Sequence, residues 1–206
     1  VTVLFVGQFI KRKRIADLLH AYANIQDVTP VNMVLVGQGK EEGALREIIR
    51  EKGLKNIYIA GFKNQSELPV YYTIADILVL PSERDPSPKV INEAMNFELP
   101  IITTNEVGTA SDLVDESGSG LLYDAGDVTR LAEHLKELIQ NKTRREEMGR
   151  AAREAIAKWS MEEDVRGIKN ALEFLRKKEK DESKLFYELI HGEEYRRGAH
   201  PKDPFY

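Results

Sequence analysis

Cysteine is absent from the 206 residues, which excludes disulfides, thiolate catalysis and cysteine-based metal sites. Histidine is scarce: His20, His134, His191 and His200 show no ligand spacing. The first pair of these falls within helical patterns and reads as packing or surface residues. A surplus of one charge is missing too. A formal net charge of −4 gives no global reason to expect nucleic acid or an anionic membrane as partner. No apolar run approaches the ~20 residues of a membrane span, and no secretory signal is visible. The default expectation is a cytoplasmic protein, or one at the cytoplasmic face of a membrane. No acidic cluster suggests a Mg²⁺ cage, so no metal site is expected. Internal repeats and low-complexity blocks are lacking as well. The chain opens on VTVLFVG, in mid-strand and without an initiator Met, which reads as a fragment cut at a domain boundary.

What is present is alternation. Val1–Val6, Asn32–Val36, Ile57–Ala60, Ile77–Leu80, Ile101–Thr103 and Gly120–Tyr123 read as strands. They are apolar runs without clean polar alternation, as in a parallel sheet covered on both faces. Helical stretches lie between them: IADLLHAYANI, EEGALREIIREK, SELPVYYTIA, PKVINEAMNF and a short turn near TASDLV. The expected fold is α/β, a three-layer doubly wound parallel sheet of about six strands in the order 3-2-1-4-5-6, followed by C-terminal helices. Asp127 can cap VTRLAEHLKELIQN, and Thr143 with Glu146 and Ser160 with Glu163 fit the capping-box spacing for two further helices. One domain is expected over residues 1–178, with residues 179–206 as an appendage.

Such sheets bind ligands beyond the carboxyl ends of the strands, where strand order reverses. Here that point lies between strands 1 and 4, so the loops GQFIKRKR (7–14) and PSERDPSPK (81–89) are expected to share one crevice. In DPSPKVINEAM, Ser87 reads as N-cap and Pro88 as first helical residue, leaving an anion-binding helix mouth between Asp85 and Glu93. The alternative is a solvated turn before a capped helix. Lys11, Arg12, Lys13 and Arg14 precede a helix at its positive end, where cations are locally unfavourable. A phosphate would compensate, Lys13 being the main candidate; a solvated turn and a basic nucleic-acid patch are the alternatives. GQGKEEG (37–43) superficially suggests a dinucleotide loop, but the next strand ends in Ala60, Gly61, Phe62 and Lys63 without an acid for a ribose, which argues against NAD. Gly61 and Phe62 suit the close approach of a nucleobase, or simply end the strand.

The segments VGQFIKRKRIADLLHAYA, VLVGQGKEEGALREII, IAGFKNQSELPVYYTIADILVLPS, DPSPKVINEAMNFELPIITTN and VGTASDLVDESGSGLLYDAGDVTRLAEHL follow one another in that order. Together, over residues 1 to about 178, they resemble the C-terminal, donor-binding domain of a GT-B fold retaining glycosyltransferase of family 4 (group 1). The resemblance implies a Rossmann-like half of a two-domain enzyme whose N-terminal acceptor domain is absent from this chain. It implies transfer of a sugar from a nucleotide diphosphate sugar to a glycan or lipid-linked acceptor, with retention and without a metal or other cofactor. It leaves room for peripheral contact of the full-length protein with a membrane. The family's two acids, seven residues apart, map onto Asp85, as the catalytic-site acid on the donor sugar's hydroxyls, and Glu93, on the ribose. Gly7, Gln8 and Lys13 fall in the phosphate-binding first loop. Ser87, Pro88, Lys89 and Val90 form the diphosphate turn, and Gly61 and Phe62 lie beside the base.

Three positions depart from the family pattern. Asp85 replaces Glu and is one methylene shorter. Gln8 stands where an arginine is usual, with Arg12 or Arg14 as substitutes. Glu98, in NFELP, replaces a glycine, which costs on the order of 1 kcal/mol if φ is positive there. Two other readings compete: a glycoside hydrolase or phosphorylase using the same two carboxylates, and a nucleotide-binding regulatory module.

Overall fold

The structure, a computed structural model, describes residues 1–26, 31–160, 162–163 and 165–178. Six parallel strands form one sheet: β1 (Thr2–Val6), β2 (Asn32–Val36), β3 (Ile57–Gly61), β4 (Ile77–Leu80), β5 (Ile101–Thr104) and β6 (Gly120–Tyr123). Their spatial order is β3-β2-β1-β4-β5-β6, as expected for a doubly wound sheet. Register follows the pattern too. Val3 to Val6 of β1 lie beside Met33 to Val36 of β2, and Val3 and Leu4 also lie beside Ile77 and Leu78 of β4. All of these side chains are buried, so the central strands are covered on both faces, which is why their sequences show no polar alternation.

The covering helices are α1 (Ile15–Ala23), α2 (Glu42–Glu51), α3 (Leu68–Ile74), α4 (Lys89–Met95), α5 (Val128–Gln140) and α6 (Lys142–Ala157), with a π-helical turn at Ala110–Asp115. α1 packs against α2 and α5, and α4 against α6. Asp127 caps α5 by accepting the N–H of Arg130 at 2.8 Å. From that cap, Leu131, Leu135 and Leu138 recur at helical spacing and are fully buried.

The next cap is not the expected Thr143. Asn141 accepts the N–H of Arg144 at 3.0 Å, so α6 starts two residues earlier and Thr143 lies inside it. Asn is at least as good a cap as Thr, and at Asn141 the backbone is extended, as a cap requires.

Glu98 has φ of 57° and so occupies the left-handed region. A Cβ on Gly149 of α6 would lie 2.1 Å from the Glu98 carbonyl oxygen, so α6 packs directly on this strained turn.

The compact unit spans Val1–Lys158, and its buried apolar residues end at Ile156. In the second unit, Ser160 accepts the N–H of Glu163 at 3.3 Å, and residues 165–178 are helical. The aromatic residues Phe186, Tyr187 and Tyr195, with His191, His200 and the whole 179–206 appendage, lie outside the described residues.

Candidate donor-binding crevice

Two loops meet at the reversal of strand order. The first leaves β1 at Gly7 and makes a 3-10 turn over Lys11–Lys13 before α1. The second leaves β4 as Pro81–Pro88. They are joined through backbone and side chains: Glu83 donates its N–H to the Arg12 carbonyl at 2.8 Å, and the Arg12 guanidinium donates to the Arg84 carbonyl at 2.8 Å. Deeper in, the Lys13 ammonium forms an ion pair with the Asp85 carboxylate. Both side chains are about nine-tenths buried, at 10% and 11% exposure. Lys13 and Asp85, far apart in sequence, therefore share the crevice.

Asp85 is also fixed through its backbone. Its carbonyl accepts the N–H of Gly108 at 2.9 Å, and it bridges Val107 in parallel fashion. A Cβ at Gly108 would lie 2.2 Å from the Pro86 carbonyl oxygen, so only glycine permits this close seating.

Two cations of the basic turn are paired with acids inside the chain, Lys13 with Asp85 and Arg14 with two others. Asp17, in the first turn of α1, accepts from the Arg14 guanidinium at 2.6 Å, and Glu83 accepts from it at 3.4 Å. The hydrogen bond to Asp17 raises the Arg14 pKa further above its usual value. Arg12 is thus held on the Arg84 carbonyl and Arg14 on two acids. Gln8 itself is exposed.

The start of α4 differs from expectation by one residue. Pro88, with φ −78° and ψ 106°, is the N-cap, and no side chain caps the helix. Ser87 is therefore outside the helix. A residue before proline is pushed toward extended backbone, and Pro88 is extended as well, so helical geometry begins only at Lys89. The Ile91 N–H closes on the Pro88 carbonyl at 3.1 Å. The N–H groups of Lys89 and Val90 belong to the first turn and have no intrahelical acceptor.

One turn further on, Glu93 is half-buried and accepts the Tyr72 hydroxyl at 2.7 Å. Tyr72 was not singled out from sequence. It lies on α3, 21 residues from Glu93, and no local pattern links them. Burial first, then this hydrogen bond, pushes the Tyr72 hydroxyl pKa well above its ordinary 10.0.

The two remaining candidates lie at the end of β3, the edge strand that β2 separates from β1. Gly61 has φ of 71° and its carbonyl accepts the N–H of Gly37 at 2.8 Å, while Phe62 is 65% exposed. The first two glycines of GQGKEEG have a packing role. A Cβ on Gly37 would fall 1.8 Å from the Gly7 carbonyl oxygen, and one on Gly39 would fall 2.3 Å from that of Phe9. These glycines let the loop after β2 lie against the loop after β1. Among the described residues no group of three or more His, Asp or Glu is arranged to hold a metal ion.

The class defined by this fold and crevice is matched by comparison with known proteins. The family model for glycosyl transferases group 1 matches residues 1–155. An uncharacterised glycosyltransferase of Methanocaldococcus jannaschii is 30% identical over 172 residues, covering 84% of this chain and 48% of its own length. The N-acetyl-alpha-D-glucosaminyl L-malate synthase of Bacillus anthracis is 26% identical over 156 residues, covering 75% and 40%. Among solved structures, sucrose-phosphate synthase from Thermosynechococcus elongatus superposes with a TM-score of 0.72 at 25% identity, covering 85% of this chain and 46% of that one. The HepE protein of Anabaena, solved in complex with UDP, superposes at 0.68 with 23% identity, covering 76% and 44%. The chain belongs to the glycosyl transferases group 1 family. It spans about half the length of the curated relatives it matches.

Proposed function

We propose that this chain is the donor-binding half of a retaining glycosyltransferase and holds a nucleotide diphosphate sugar in the crevice between β1 and β4. The observation that carries the reading is the meeting of Lys13 with Asp85 at that crevice, one short turn before the free N–H groups of Lys89 and Val90. A diphosphate there would take Lys13, those amides and the positive end of α4 as its counter-charge, without requiring a metal. Entry of the phosphate lets Lys13 exchange one anion for another, and the released Asp85 carboxylate becomes an acceptor for sugar hydroxyls. Glu93 would accept from the ribose, and Gly61 with the exposed Phe62 would border the base. Ser87 and Pro88 shape the turn, while Gly7 and Gln8 line its opposite wall.

The solved HepE protein binds UDP, and its fold matches this one, which supports a nucleotide in the crevice. A hydrolase using the same acids fits less well. Asp85 faces Lys13 and Glu93 faces Tyr72, whereas hydrolysis needs two carboxyl groups flanking one bond, about 5–9 Å apart. The acceptor, a glycan or lipid-linked sugar, would be held by a second domain, and the full-length protein would work at the cytoplasmic face of a membrane.

A thermal-shift panel of UDP-, GDP- and ADP-sugars tests the reading. At 100 times its dissociation constant a ligand stabilises by about 2.7 kcal/mol, a shift of several degrees. At least one donor class is expected to reach that; a flat response to all three at millimolar concentration overturns the proposal.

A further inference from the structure

We propose that Tyr72 is a positioning residue: its hydroxyl anchors one oxygen of Glu93 so that the other is presented to the paired hydroxyls of a ribose. The inference rests on the nucleotide-binding reading above and deepens it.

The geometry is specific to this pair. The hydroxyl donates to Oε2 of Glu93 at 2.7 Å, and Tyr72 is only 2% exposed, so bulk water has little access to compete for the bond. The ring itself is held by stacking on Phe97, with centroids 5.4 Å apart and planes 27° apart. A glutamate side chain otherwise keeps three free torsions, and fixing them on ligand binding costs affinity. Tyr72, carried by α3, removes that freedom in advance from a residue carried by α4.

One face of Glu93 stays open. A groove of about 270 Å³ between the two helices is lined by Gln65, Leu68, Pro69, Asn96 and Phe97, with Tyr72 and Glu93 on its wall. An ionised carboxylate offers about four lone-pair sites, and one is taken by Tyr72. The vicinal diol of a ribose brings two O–H donors, which the remaining sites can accept together. The raised pKa of the Tyr72 hydroxyl keeps it a donor across the working pH range.

Calorimetry on residues 1–206 separates this role from mere packing. The probe is whichever of UDP, GDP and ADP binds best, compared with its 2′-deoxy and 3′-deoxy forms. The readout is the ratio of ribo to deoxy affinity within each variant, which does not depend on the folded fraction. Wild type is expected to prefer the ribo form, and Tyr72→Phe to lower that preference severalfold, up to about tenfold, because a freed Glu93 side chain must then be ordered on binding. Glu93→Ala is expected to abolish it, and Tyr72→Phe added to Glu93→Ala to change nothing further. If Tyr72→Phe keeps the wild-type ratio while Glu93→Ala loses it, the positioning role is wrong and the ribose reading stands. If Glu93→Ala keeps the ratio, or no nucleotide binds, the ribose reading fails and the inference falls with it.

Discussion

Glu98 carries a backbone conformation that suits glycine, with φ of 57°, and it is exposed, so its side chain has no core contact to lose. The Cβ clash in the left-handed region costs about 1–2 kcal/mol, while glycine's freer unfolded chain offsets part of that gain. Glu98→Gly is therefore expected to raise stability by about 0.5–1 kcal/mol, read as a higher urea midpoint at unchanged slope. An unchanged or lower midpoint would show that the turn is not strained. The need for a glycine there was legible from the sequence, because NFELP sits in a resemblance whose pattern marks the position. Tyr72 was not legible: its bond to Glu93 crosses from one helix to another, and such a contact leaves no mark on local spacing. The same holds for the cations of the first loop. Their sequence shows an unfavourable cluster at a helix start, but not that Asp85 pairs with Lys13 and that Asp17 and Glu83 pair with Arg14.

At the level of elements, the strands were legible because a buried parallel strand has little choice of composition, and their order followed from the few right-handed topologies open to such a sheet. Element ends were less legible. Ser87 and Thr143 both carry the right chemistry for a cap, yet Pro88 and Asn141 occupy the cap positions, because backbone geometry at the neighbouring residue decides the start. The GQGKEEG loop shows how one motif can serve two ends. Its first glycines are spacers between the loops after β1 and β2, which are cross-linked by the N–H of Phe9 on the Gln38 carbonyl and that of Glu41 on the Phe9 carbonyl. Gly37→Ala would force a methyl to 1.8 Å from the Gly7 carbonyl oxygen at a φ of 143°. A loss of about 3 kcal/mol or more is expected, beyond the usual range of single substitutions. Because Gly7 starts the first loop of the crevice, nucleotide binding should weaken with it. A variant as stable as wild type in urea would show that the loops can part without cost.

For the molecule as a whole, the buried tyrosines among the described residues, Tyr22, Tyr72 and Tyr123, make stability depend on alkaline pH. Burial raises the pKa of Tyr22, Tyr72 and Tyr123 above the ordinary 10.0. Below that value both folded and unfolded chains keep these protons, and the contribution to stability is complete. Above it the unfolded chain releases protons that the folded chain retains, so stability falls as pH rises. Urea midpoints at about pH 9 and pH 11 should differ, and Tyr123→Phe should reduce the difference without removing it. An undiminished difference in that variant would mean that Tyr123 is not among the groups responsible.

Lys13 is expected to change partners when the crevice is filled. In the free protein it is paired with Asp85, and removing one partner of a buried pair alone leaves an uncompensated charge. Lys13→Met combined with Asp85→Asn nearly keeps the volume and removes both charges, so the fold should survive while the phosphate site is lost. Calorimetric titration of UDP, GDP and ADP into wild type and this double variant is the most direct measurement. Wild type is expected to bind at least one of the three saturably, and the double variant at least about tenfold more weakly, as one charged hydrogen-bonding partner is lost. Equal affinity in the two proteins would contradict the assignment of the β1–β4 crevice as the diphosphate site.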